Sequence, residues 1–158
     1  MAAIGIMTAQ VRPERAVGQI QVYDGLGKGK SQAALGVVLR SLGLGMAATE
    51  ASHPTDTRIL LLRFLKGPGR EYAEDAAIAA LQQGFPHLID QVRTGRAEYF
   101  DAEQITAFDR SEAERGWDVA KGAIASGLYS VIVLDEINPV LDLGLLSVEK
   151  VVKDLKRK

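Results

Sequence analysis

The chain has 158 residues, 47% of them apolar and 25% charged, with a net charge of −1. That suits one globular domain with a real core and makes disorder an unsuitable default. Near-neutrality argues against broad nucleic-acid binding, which needs a concentrated basic face. The absence of cysteine excludes a disulfide framework, a thiolate metal site and a cysteine nucleophile.

Residues 1–17 show no periodicity, and Met1–Gln10 lacks the basic start of a signal peptide, so an N-terminal arm is expected. No apolar run approaches membrane-spanning length; a cytoplasmic protein without membrane or nucleic-acid partners is the expectation. Gly18–Tyr23 alternates as a first strand should. Leu35, Val38, Leu39 and Leu42 recur at i, i+3, i+4 and i+7, which predicts a helix from Ser31 to about Leu42, stopped by Gly43 and Gly45. Gly36 costs this helix stability and is read as room for close approach to the sheet. The polar stretch to Thr57, with His53-Pro54, is expected to be a surface loop.

Arg58–Phe64 contains the unbroken run Ile59-Leu60-Leu61-Leu62, typical of a strand covered on both faces. Lys66-Gly67-Pro68-Gly69 ends it, and Glu71 to about Gln83 is Ala-rich and helical up to Gly84-Phe85-Pro86. Leu88–Val92 and Ala97–Phe100 are ambiguous, each short enough for a strand. Ala113, Trp117, Ala120 and Ile124 share one face of a helix over Asp109–Ser126, with Trp117 packing toward the sheet. Tyr129–Leu134 is the third clear strand and runs into Asp135-Glu136; Val148, Val151, Val152 and Leu155 stripe a last helix from Ser147 onward. Strands alternating with helices imply a mostly parallel sheet between helical layers.

Between the first strand and the first helix lies Asp24-Gly25-Leu26-Gly27-Lys28-Gly29-Lys30-Ser31. Strand, glycine-rich turn, Gly-Lys-Ser and helix is the order of a phosphate-cradling loop. Glycines let backbone N–H groups approach phosphate oxygens, and the helix adds its own free N–H groups and dipole. Lys30 supplies a point charge and Ser31 an oxygen suited to Mg²⁺. The strict pattern G-x-x-x-x-G-K-[ST] would place glycine where this chain has Asp24. A nucleoside triphosphate is the expected ligand, and α/β of the three-layer P-loop NTPase-like (RecA-like) kind is the expected fold. The acidic end of the third strand, Asp135 and Glu136, then reads as the metal partner of the loop; spacing is compatible with either carboxylate, directly or through water. Lys66 at the end of the second strand serves a phosphate or caps a turn. His53 and His87 have no second ligand at metal spacing and read as surface residues. Tyr99 and Phe100 line a flat pocket or belong to the core.

With these pieces in place the chain resembles the P-loop corrinoid adenosyltransferases, which act on cob(I)alamin or cob(I)yrinic acid a,c-diamide. The family loop G-x-G-K-G-K-[ST]-T-A-A is matched by Gly25 to Ala34, and A-L-R-A-L-G by Val38-Leu39-Arg40-Ser41-Leu42-Gly43. Its Q-F-I-K-G becomes Arg63-Phe64-Leu65-Lys66-Gly67, and V-V-L-D-E-I-N becomes Ile132-Val133-Leu134-Asp135-Glu136-Ile137-Asn138. The resemblance implies ATP at Gly25, Leu26, Gly27, Lys28, Gly29, Lys30, Ser31, Gln32 and Arg40, and Mg²⁺ at Ser31, Asp135 and Glu136. It implies a corrinoid substrate facing Phe64, Lys66, Tyr99, Phe100 and Asn138, and a homodimer. In that reaction cobalt(I) of the corrinoid attacks C5′ of ATP and triphosphate leaves, so no catalytic base is required. Three departures stand out. Arg96-Ala97-Glu98-Tyr99-Phe100 replaces the family's G-F-T-W, Arg63 replaces a glutamine, and the domain over 18–158 is expected to lack the family's next strand (V-L-T-G-R) and tail. A regulatory module that keeps the ATP site without corrinoid chemistry is the rival reading. A plain ATP or GTP hydrolase is third, since no water-positioning glutamine or arginine finger can be assigned.

Overall fold

A computed structural model describes residues 18–50 and 58–156. The expected arm over 1–17 and the loop holding His53 lie outside the described residues. In chain order the elements are α1 (Lys30–Glu50), β1 (Ile59–Arg63), α2 (Asp75–Gly84), β2 (Ile89–Arg93), a 3₁₀ turn (Ala102–Gln104), α3 (Ala107–Ser126), β3 (Val131–Asp135), α4 (Ile137–Asp142) and α5 (Val148–Leu155). The three strands form one parallel sheet in the order β2-β1-β3.

Why β1 is central follows from its sequence. All five of its residues are buried, as a strand without a polar face must be. Leu60, Leu62 and Phe64 point to one side, where Ala113, Trp117, Ala120 and Ala123 of α3 meet them with Val140, Leu146 and Val151. Ile59 points to the other, onto Val38 and Leu42 of α1 and Leu81 of α2. Alternate residues of β3 divide the same way: Ile132 and Leu134 join the first cluster, Val131 and Val133 the second. The sheet therefore lies between helices, and the α/β, P-loop NTPase-like expectation holds. Trp117 is fully buried against the sheet, and its Nε1–H donates to Asp154 at 3.0 Å, tying α3 to α5.

Several boundaries differ from the expectation. Gly18–Tyr23 is not part of the sheet: Ile20 and Val22 are exposed, so the alternation gains no burial here. Helix α1 continues through Gly43 and Gly45 to Glu50, because one glycine costs a helix only about 1 kcal/mol and the flanking Leu, Met and Ala are strong helix formers. Its buried stripe is narrower than the periodicity suggested, with Leu39 exposed. Gly36 makes no close approach; a Cβ there would meet nothing within 4 Å. The two ambiguous pieces resolve in opposite ways. The stretch near Leu88–Val92 becomes β2, paired along its length with β1. Residues 97–100 form no strand; the segment is held as a loop, with Arg96 donating to the carbonyl of Gln104 at 2.8 Å and Phe100 packed on the first cluster. Helix α3 starts at Ala107 because Thr106 caps it: Asp109 accepts from the Thr106 N–H at 2.8 Å and returns its own N–H to the Thr106 hydroxyl. Gly127, at φ 63°, closes its other end.

Candidate functional site

Parallel strands place their carboxyl ends together, and here those ends carry a row of charge. Arg63 stands in register with Arg93 on one side and with Asp135 on the other. Ligands of such sheets sit beyond these ends. The glycine loop arrives at the same place. Ser31, in the first turn of α1, donates its hydroxyl to Asp135 Oδ1 at 2.8 Å, and the Asn138 amide donates to the Tyr23 carbonyl at 3.3 Å. Gly25 and Gly29 take φ of 130° and 110°, conformations that a Cβ would strain. Lys30 folds back over the loop, its Nζ donating to the carbonyls of Gly25 at 2.5 Å and Gly27 at 2.7 Å.

Lys66 is the centre of the site. It is buried, and its Nζ lies 2.7 Å from Asp135 Oδ2, 3.5 Å from Glu136 Oε1 and 3.4 Å from the Ser31 hydroxyl. The sequence offers it a phosphate or a turn cap; in the structure its partners are the carboxylates of Asp135 and Glu136 and the hydroxyl of Ser31. The ammonium sits where a hydroxyl and two carboxylates converge, a set of hard oxygens that suits Mg²⁺. Among the described residues no group of three or more His, Cys, Asp or Glu comes together as a metal site, so other ligands would have to come from water or phosphate. The backbone beside this pair is unusual. Leu65 and Glu136 are the non-glycine residues with positive φ, at 54° and 64°, among those described. They precede Lys66 and follow Asp135, and such conformations concentrate where a site demands them.

Around this centre lies a further network of charge that the sequence pattern does not single out. Arg63, 1% exposed, pairs with Asp75 and with Glu74 (2.5 Å) at the start of α2, and lies 3.5 Å from Asp135. Arg93 reaches Asp75 at 3.3 Å and donates to the carbonyls of Lys66 (2.6 Å) and Gly67 (2.9 Å). Burial by itself pushes the Asp75 carboxyl up; the Tyr72 N–H and the Arg63 and Arg93 guanidiniums outweigh it and hold the group below the usual carboxylate range. The cations of Arg63, Lys66, Arg70 and Arg93 all lie 5.0–5.7 Å from the centre of the Tyr72 ring. The signal for this network was present: two neighbouring strands both end in arginine, and Glu74-Asp75 opens the helix between them.

The residues proposed to face a flat ligand do not form one wall in this conformation. Phe64 is fully buried beneath α3, where Gly116 leaves room for its ring. Phe100 is half-buried, with the Arg96 guanidinium 4.0 Å from its ring centre. Tyr99 is 84% exposed, and Arg70 lies 5.6 Å from its ring centre. Asn138 lies in α4, joined to Tyr23 as described. Leu26, Lys28, Gln32 and Arg40 are exposed on the loop and on α1. His87 is exposed as expected.

A parallel α/β sheet with a glycine loop and an acidic strand end at its carboxyl edge defines a P-loop NTPase-like protein. The chain belongs to the ATP:corrinoid adenosyltransferase BtuR/CobO/CobP family, whose profile matches residues 16–158. It is similar to an uncharacterized protein of Nostoc sp., 77% identical over 155 residues, 98% of this chain and 40% of that protein. It is also similar to proteins named corrinoid adenosyltransferase. That of Pseudomonas aeruginosa is 31% identical over 148 residues (94% of this chain, 64% of that protein). That of Sinorhizobium sp. is 29% identical over 139 residues (88% and 58%). The chain thus spans between two fifths and two thirds of the length of these relatives.

Proposed function

We propose that this chain forms the ATP site of a corrinoid adenosyltransferase. Cobalt(I) of the corrinoid substrate would attack C5′ of ATP; the Co–C bond forms, the C5′–O bond breaks, and triphosphate leaves. The observation that carries the reading is the convergence of the glycine loop, Ser31, Asp135 and Lys66 at the strand ends of a chain of this family. Gly25 to Ser31, with Gln32 and Arg40, would bind and orient ATP. Lys30 would exchange its loop carbonyls for phosphate oxygens. Ser31 and Asp135, with Glu136, would hold Mg²⁺, which neutralises charge on the leaving triphosphate when bound. The nucleophile comes with the substrate, so positioning, charge neutralisation and exclusion of water are the protein's share. A cytoplasmic setting and a homodimer belong to the same proposal.

One observation favours a second reading, a nucleotide-binding module without corrinoid chemistry: Phe64, Tyr99 and Phe100 are not gathered into an aromatic wall. The two readings separate in one assay. Full-length protein, a cobalt(I) corrinoid and Mg·ATP should give adenosylated corrinoid, followed by its visible spectrum. Replacing Tyr99 and Phe100 by Ala should cut that turnover far more than ATP affinity. Tight ATP binding with no corrinoid bound or adenosylated leaves the module reading.

A further inference from the structure

Building on the Mg·ATP reading, we propose that Lys66 is an internal cation that fills the metal position in the nucleotide-free chain. On arrival of Mg·ATP its side chain swings out to pair with the triphosphate. The three oxygens ascribed to the metal, on Ser31, Asp135 and Glu136, are the ones that surround Lys66 Nζ at 3.4, 2.7 and 3.5 Å. A fourth, Glu74 Oε1, lies at 4.0 Å. Two neighbouring carboxylates in a largely buried setting repel unless a cation lies between them, and Lys66 supplies it. A dication and an ammonium cannot share that position, so one must leave when the other enters.

The surroundings hold the Lys66 backbone in place. The Lys66 N–H donates to the Thr94 carbonyl at 3.0 Å, and the Lys66 carbonyl accepts from Arg93 Nε at 2.6 Å. Gly67 presses on Gly95 so closely that a Cβ would stand 1.9 Å from the Gly95 carbonyl oxygen. The peptide is thus anchored on both sides to β2 and the turn after it. Left-handed Leu65 and Glu136 flank the ion pair, strain accepted to bring Lys66 onto Asp135. Tyr72 lies 5.0 Å from the ammonium and presents a ring face to it. Arg63, buried and held by Glu74 and Asp75, keeps Asp135 in place throughout. The consequence is that metal and nucleotide bind together, and metal alone binds poorly.

Mn²⁺ serves as the metal probe, titrated into the full chain and followed by the paramagnetic resonance of free Mn²⁺, with and without ATP and without corrinoid. Wild type should bind Mn²⁺ weakly until ATP is present. Lys66→Met should bind Mn²⁺ alone at least about tenfold more tightly and Mn·ATP about tenfold more weakly, about 1.4 kcal/mol in each case. Lys66→Arg, which keeps the charge, should leave binding of metal alone weak; circular dichroism checks that both variants fold. Unchanged metal-alone binding in Lys66→Met overturns the proposal, as does an equal gain in Lys66→Arg or tight metal-alone binding in wild type. Failure of wild type to bind ATP in any form sinks the nucleotide reading and this proposal with it. The metal-alone titrations tell that failure apart from failure of Lys66 to occupy the position.

Discussion

Asp75 shows how charge placed around the site also becomes stability. Its carboxyl is held below the usual range by the Tyr72 N–H, Arg63 and Arg93 against the opposing effect of burial. A depressed folded value means the contribution is fully present above the unfolded value of about 3.9 and is lost as pH falls through the lower, folded one. Asp75→Asn should therefore cost about 1–3 kcal/mol at pH 7, since Arg63 keeps Glu74 and Asp135 as partners. The gap between wild type and variant should close as pH drops below about 4. Urea midpoints at neutral and acid pH test this; a gap independent of pH contradicts it. Glu112, lowered by Arg115 and by the Gly95 N–H against burial, leaves part of the acid dependence in the variant. At this scale the sequence nominates Asp135 and Lys66 by residue type at strand ends and Ser31 by its place after the glycine loop, and the structure brings the three side chains together. It did not mark Arg63 as a buried hub: an arginine ending an apolar strand looks solvent-bound until register sets it between Arg93 and Asp135.

Elements were legible where burial alone decided them. The Leu run of β1 and the face of α3 carrying Ala113 and Trp117 needed only hydrophobic pattern to be found. The end of α1 did not follow from Gly43 and Gly45, since a glycine is a stop signal only where the backbone turns left-handed, and Gly43 stays helical. This gives a prediction. A Cβ at Gly36 or Gly43 meets nothing within 4 Å, so Gly36→Ala and Gly43→Ala should each raise stability by about 0.5–1 kcal/mol. A loss in either would show that the helix bends or packs there. Gly67 is the opposite case. With the Gly95 carbonyl oxygen 1.9 Å from an added Cβ, Gly67→Ala should cost about 3 kcal/mol, read as a lowered thermal midpoint. A neutral result would mean that the turns after β1 and β2 are not locked together.

Across the molecule, the three-layer arrangement follows from strands with two apolar faces and helices with one, which is why the parallel sheet is readable in the sequence. Gly18–Tyr23 lies outside that sheet despite its alternation, because alternation describes a strand's faces and says nothing about its partner. No helix among the described residues is long and apolar enough to cross a membrane. The strand ends bring together Ser31, Lys66, Asp135 and Glu136, and in the proposed reaction the nucleophile comes with the corrinoid substrate. The inorganic product is the most direct measure of that claim. Full-length protein given Mg·ATP and a cobalt(I) corrinoid should release triphosphate in equal amount to adenosylated corrinoid, resolved by phosphorus-31 resonance. ADP and free phosphate, formed with or without corrinoid, would make the chain a hydrolase and contradict the account.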